Sequence, residues 1–116
     1  MIGGNISATI EKRQGVQVNT IGEREGMWIP VLTVKGFLDY ISGDSHYNNF
    51  NAKVQESTHI FLCDYIDVGE LSISSENSRL IIGDKKFQVQ LIDDPMNIHS
   101  HIEIYLKYSG GDYHSG

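Results

Sequence analysis

The residues of this chain best suited to chemistry lie in the stretch Asp93-Asp94-Pro95-Met96-Asn97-Ile98-His99-Ser100-His101. Asp94, His99 and His101 offer one carboxylate and two imidazoles, a donor set that suits zinc or another transition metal. His99 and His101 are two residues apart, so in a strand both would point to one face. A plainer use exists for the same residues, in which Asp94-Pro95 starts a turn and the histidines sit at a loop–strand junction. Two histidines and a turn aspartate commonly occur without metal. The plainer use is favoured, and no cofactor is expected.

A second group of reactive types surrounds the lone Cys63, in His59-Ile60-Phe61-Leu62-Cys63-Asp64. A nucleophilic thiol needs a nearby base and a stabilised thiolate. His59 is four residues away, about 13 Å along an extended chain, which is beyond hydrogen-bond reach. Cys63 therefore reads as a small hydrophobe in an apolar run, with no second cysteine to form a disulfide. Ser109-Gly110-Gly111-Asp112 has the glycines of a phosphate loop but leads into no helix. No residue qualifies as catalytic, and the chain reads as a non-enzyme.

The elements that must hold these residues are strands. Phe87, Val89 and Leu91 alternate with polar residues, as do Ile102, Ile104 and Leu106, the period-two pattern of a sheet with one buried face. Gly83-Asp84 between Ile82 and Lys85 supplies a tight hairpin turn. Asn5 to Arg13 forms a first strand with Ile6, Ala8 and Ile10 on one face. Gln14-Gly15 reads as a turn, and Val16, Val18 and Thr20 as a second strand. In Trp28 to Leu38, Trp28, Pro30, Leu32 and Val34 share one face. Pro30 cannot donate to a ladder, so it belongs at an edge or a bulge, and Gly36 ends or bends the strand. Thr58 to Ile66 reads as a central strand and Leu71 to Ser74 as a short one. The six tyrosines could mark a contact surface, although strand tyrosines are more often half-buried. Seven or eight short strands in one 116-residue domain predict an all-β fold, a small antiparallel barrel or sandwich.

Composition limits the function classes. Hydrophobic content of 40% and charged content of 21% are those of an ordinary soluble domain. A net charge of −6 argues against nucleic-acid binding by phosphate neutralisation, which needs clustered Lys and Arg. No apolar run approaches the ~20 residues of a membrane helix, and the first residues lack the pattern of a signal peptide. A soluble, intracellular protein with no membrane partner is expected. Residues 39–57 differ from the rest: rich in Ser, Asn, Asp and Gly, they read as a long loop of the kind that is functional or mobile. Residues 109–116 read as a flexible tail.

Four phrases of the sequence resemble a known family. They are Gly22-Glu23-Arg24-Glu25-Gly26-Met27-Trp28-Ile29-Pro30-Val31; Lys35-Gly36-Phe37-Leu38-Asp39 with Ser42-Gly43-Asp44; Glu56-Ser57-Thr58-His59; and Asp93-Asp94-Pro95-Met96 leading to His101-Ile102-Glu103-Ile104-Tyr105-Leu106-Lys107-Tyr108. In this order they are similar to the head-closure, or head–tail joining, proteins of long-tailed bacteriophages. The resemblance implies a small β-barrel that is a structural virion protein and not an enzyme. It would be made in the host cytoplasm and act at the head–tail interface. Such proteins form a ring, commonly of twelve copies, below the portal and its adaptor, and help to close the DNA channel. The implied partners are further copies of the chain, the portal-adaptor protein and a tail-completion or tail-terminator protein. DNA would pass through the ring without specific binding. The matching interaction loop would be residues 39–57, with Asp39, Tyr40, Ser42, Gly43, Asp44, His46, Tyr47, Phe50 and Lys53 as partner-binding residues. The competing reading is a β-barrel binding module or small metal-dependent enzyme using Asp93 to His101.

Overall fold

Six antiparallel strands close on themselves in the order β1-β2-β3-β6-β5-β4. They are β1 Ile6–Val18, β2 Arg24–Tyr40, β3 His59–Asp64, β4 Ser78–Ile82, β5 Lys85–Asp93 and β6 His101–Asp112. The structure is a computed structural model and describes residues 4–18, 24–41 and 56–112. The all-β expectation holds, and of barrel or sandwich the chain forms the barrel. Closure comes from β1, whose residues Thr9 to Lys12 pair with Ile81 to Ser78 of β4 while its other edge pairs with β2. Closing the sheet removes the unpaired edges that an open sheet of this size would expose.

The alternating residues fill the interior. Ala8, Ile10, Phe61, Cys63, Leu80, Phe87, Val89, Ile102, Ile104 and Leu106 are buried in one cluster. Each large apolar side chain in it contributes about 1.5–3 kcal/mol by leaving water. The tight turn is as expected: Ile82 pairs with Lys85, and Gly83 has φ 59 while Asp84 does not, the pattern of a II′ hairpin.

Among the described residues there are six strands, and two of the elements expected to raise the count to seven or eight are not separate strands. Gln14-Gly15 is a bulge inside β1 and not a turn: Arg13 pairs with Trp28 and Val16 with Gly26, three steps against two. Leu71 to Ser74 is not a strand. Leu71 N–H donates to Asp67 O at 3.2 Å, Ile73 N–H donates to Val68 O at 2.9 Å, and Ser72 has φ 56. The apolar spacing there arises because this turn packs Leu71 and Ile73 against the barrel core. At the other end of the chain, β6 continues through Asp112, which pairs with Lys85, so the ladder reaches into the segment expected to fray.

Two further bulges change which side chains face inward. In β2, Ile10 pairs with Leu32 and Glu11 with Pro30, leaving Val31 as an extra residue. The expected bulge at Pro30 is thus present, but it breaks the single face predicted for Trp28, Pro30, Leu32 and Val34. Val31 and Val34, three apart, pack against the core, whereas Trp28 stacks under the Arg79 guanidinium, 4.3 Å from the ring centroid. In β5, Val89 pairs with Leu106 and Leu91 with Tyr105, so Gln90 is the extra residue. Beyond it the inward position passes from Leu91 to Ile92, which packs on the core opposite Ile104.

Gly36 does not end β2. It is the residue at which β2 leaves β1, paired with Ile6, and joins β3, paired with Cys63.

Candidate functional site

The end of β2, the start of β3, the start of β5 and the later part of β6 meet at one rim of the barrel. Tyr40 pairs with His59, His59 with Leu106, and Phe87 with Tyr108. These registers gather four rings from distant parts of the chain. His59 lies 4.5 Å from Tyr40, 5.2 Å from Phe87 and 6.4 Å from Tyr108, centroid to centroid, and Phe87 and Tyr108 are 5.4 Å apart. The tilted and edge-on geometries are those that aromatic pairs favour. The rings, with Leu38, Ile82 and Lys85, line a cleft of about 430 Å³. Tyr40 is 77% exposed and Tyr108 40%. Exposed aromatic side chains of this kind are enriched at protein interfaces.

Thr58 fixes the rim. Its N–H donates to Leu106 O at 2.8 Å, and its hydroxyl accepts from Tyr108 N–H at 2.9 Å and lies 2.8 Å from His59 Nδ1. Beside it Ser57 is fully buried. Burial, and then the Lys85 ammonium, lower the His59 pKa from its ordinary 6.5, so the imidazole is held neutral near pH 7.

Of the residues predicted to bind partners, Asp39 and Tyr40 stand at this rim. Asp39 Oδ1 accepts from Tyr40 N–H at 2.8 Å. Ser42, Gly43, Asp44, His46, Tyr47, Phe50 and Lys53 lie outside the described residues, as does most of the predicted loop. His59, Phe87, Lys85 and Tyr108 were not singled out for this site. His59 and Tyr108 occur in the family-like phrases and Tyr108 among the tyrosines, but nothing pointed to Phe87 or Lys85, because strand register, not spacing, brings them together.

The Asp94, His99 and His101 candidates lie at the opposite end. Asp94 precedes a 3₁₀ turn over Pro95–Asn97. Its carboxylate accepts from His99 N–H at 3.0 Å and lies against His99 Nδ1. His99 has φ 58 and precedes β6, so it does not share a strand face with His101. Its ring packs at a tilt against Tyr65, centroids 4.6 Å apart, while His101 Nε2 sits 3.3 Å from Glu103. Among the described residues no three His, Cys, Asp or Glu side chains are arranged to hold a metal ion.

Carboxylates dominate this end. Asp64 faces outward beside His101, and Asp93 pairs with Glu103. Tyr105, whose hydroxyl donates to Glu103 at 3.2 Å, has its pKa pushed up to about 12 by burial and by Glu103 and Asp93. Tyr65 is raised too, by desolvation and then by Asp67, Asp94 and Glu70. Cys63 is buried in the core, and burial, with Asp64, raises its thiol to about 11. At neutral pH it is a protonated thiol, a poor nucleophile.

No protein-family model matches this chain, and no curated protein matches it.

Proposed function

We propose that this protein is a structural connector of the bacteriophage head-closure type, a ring subunit that joins the DNA-filled head to the tail. The observation that carries the reading is where the family-like phrases fall in the barrel. Leu38 and Asp39 lie just before the end of β2 at Tyr40, Ser57-Thr58-His59 lead into β3, and Leu106 to Tyr108 lie midway along β6. These parts of three phrases meet at the aromatic rim, tied by the Thr58 hydrogen bonds, and the described chain stops at Ile41 and resumes at Glu56 beside it. A closed barrel with its recognition residues on the connections is a rigid scaffold that presents loops to neighbours. The acidic charge suits a protein past which DNA slides without being held.

The test is to mix the purified protein with portal–adaptor complexes and image them by negative stain. Rings of added density below the adaptor are expected. Deleting residues 43–51 leaves the barrel folded, judged by its thermal transition, and abolishes that density and tail attachment. Normal tail attachment by the deletion variant refutes the loop assignment. Failure of the intact protein to bind any portal–adaptor complex refutes the connector reading.

A further inference from the structure

The outer surface of the barrel is electrically two-sided, and the strand order sets the two sides opposite each other. In the cyclic order β1-β2-β3-β6-β5-β4, β6 lies three places from β1 and β3 three places from β4. Cys63 and Ile102 point inward, so Asp64, His101 and Glu103 point outward on β3 and β6, with Asp93 paired to Glu103 at the end of β5. The adjoining turns add Asp94, Asp67 and Glu70. The cations beside these carboxylates are Lys107 on β6 and the exposed Lys35 of β2, which lines a pocket with Asp64. Met96 and Ile98, 88% and 63% exposed, stand beside these carboxylates.

Across the barrel, Leu80 and Ile10 point inward, so Arg79 and Glu11 point outward from β4 and β1. Arg79 Nε donates to Glu11 at 2.7 Å, which cancels that carboxylate, and its guanidinium lies over Trp28. Arg79, Trp28, Arg13, Lys86, Gln88 and Glu76 line an open cleft of about 400 Å³. This cleft is cationic and has an indole in its wall, while the chain as a whole carries −6.

We propose that the acidic face of one copy, with Met96 as its apolar contact, docks on the Arg13–Trp28–Lys86 cleft of the next copy. The contact is heterologous, using two different patches, and repeats from copy to copy. In a closed ring of about twelve members the two patches of each subunit lie about 150° apart, which faces centred on nearly opposite strands of a six-stranded barrel can supply. Charge complementarity selects the orientation, and tyrosine, tryptophan, arginine and methionine are the residues enriched in such interfaces. The ring context rests on the connector reading above; the pairing of the two faces rests on their charge and placement.

The experiment uses the full chain, with R13E/K86E reversing the cleft and D93K/E103K reversing the acidic face. Circular dichroism first verifies that each variant is folded. Sedimentation velocity at low ionic strength and high protein concentration is expected to show wild-type self-association that weakens as salt is added. Each variant alone presents like charges on both faces and is expected to associate at least ~10-fold more weakly. An equimolar mixture of the two variants is expected to associate again. No salt-sensitive association of the wild type, variants that associate like wild type, or a mixture that stays monomeric would each overturn the proposal. The outcomes separate from the connector test. Single-face variants that still form complete rings on portal–adaptor complexes overturn this interface and leave the connector reading standing. Charge-swap association without any portal binding does the reverse.

Discussion

Replacing Gly36 with alanine places a methyl group where the barrel has no room for one. A Cβ built on Gly36 falls 2.1 Å from Leu62 O and 2.8 and 2.9 Å from the Phe61 ring. The oxygen belongs to the β3 backbone, and Phe61 has 0% exposure, so neither neighbour can swing aside. The two strands must separate by about 1 Å at the point where β2 passes from β1 to β3. Overpacking of well-packed interiors costs ~1–3 kcal/mol and occasionally more; a clash with backbone belongs at the top of that range, about 3 kcal/mol. A domain of this size has a total stability of roughly 5–15 kcal/mol, and each kcal/mol moves Tm by about 4 °C. Gly36→Ala is therefore expected to lower Tm by about 12 °C, read by circular dichroism melts or calorimetry. Gly83→Ala is the internal comparison: nothing lies within 4 Å of its Cβ, and the cost is only its φ of 59, about 1–2 kcal/mol. A Gly36→Ala protein melting within ~2 °C of wild type would refute the β2–β3 packing described above.

Other outcomes follow from the buried polar and titratable groups. Arg79→Ala leaves Glu11, 7% exposed at its side chain, without its guanidinium. It should cost ~3 kcal/mol in chemical denaturation, against less than ~0.5 kcal/mol for Arg13→Ala; equal effects would contradict the ion-pair geometry. Cys63 should resist an aromatic disulfide reagent in the folded protein and react fully once denatured, and rapid native labelling would show that the thiol is accessible. For His59 the folded pKa lies below the unfolded 6.5. On acidification the unfolded chain takes up this proton first, so stability falls as pH drops through about 6.5 and levels off below the folded pKa. Substituting His59 with glutamine should remove that component from a series of melts across this range, and an unchanged pH profile would count against a neutral His59.

The strands were legible where alternation was unbroken. Ile102, Ile104 and Leu106 face the core as their spacing indicates, and Gly83 turns the chain because only glycine enters φ 59 without cost. Alternation failed as a guide at Gln14-Gly15, Val31 and Gln90, where one extra residue reverses the phase of everything beyond it. Pro30 pointed to the bulge beside Val31, but the residues at the other two have no special composition, so nothing in the sequence announces those reversals. Leu71 and Ile73 misled for a related reason: a turn that packs into a barrel buries the same apolar residues as a short strand. Asp94 and His99 stand in one turn before β6, as the Asp94-Pro95 pair indicates, and the Asp94 carboxylate accepts from His99 N–H.

Taken alone, the amino-acid sequence determined the all-β class, the inward residues of the regular strands, the hairpin at Gly83 and the turn at Asp94. These are local matters, decided by side-chain period and backbone preference within a few residues. Only the tertiary structure decided that β1 closes on β4, that β3 lies beside β6, and how each ladder is registered. An alternating strand offers the same buried face to any partner, so its pattern cannot select one. The gathering of Tyr40, His59, Phe87 and Tyr108, and the opposition of the acidic and cationic faces, both follow from that pairing.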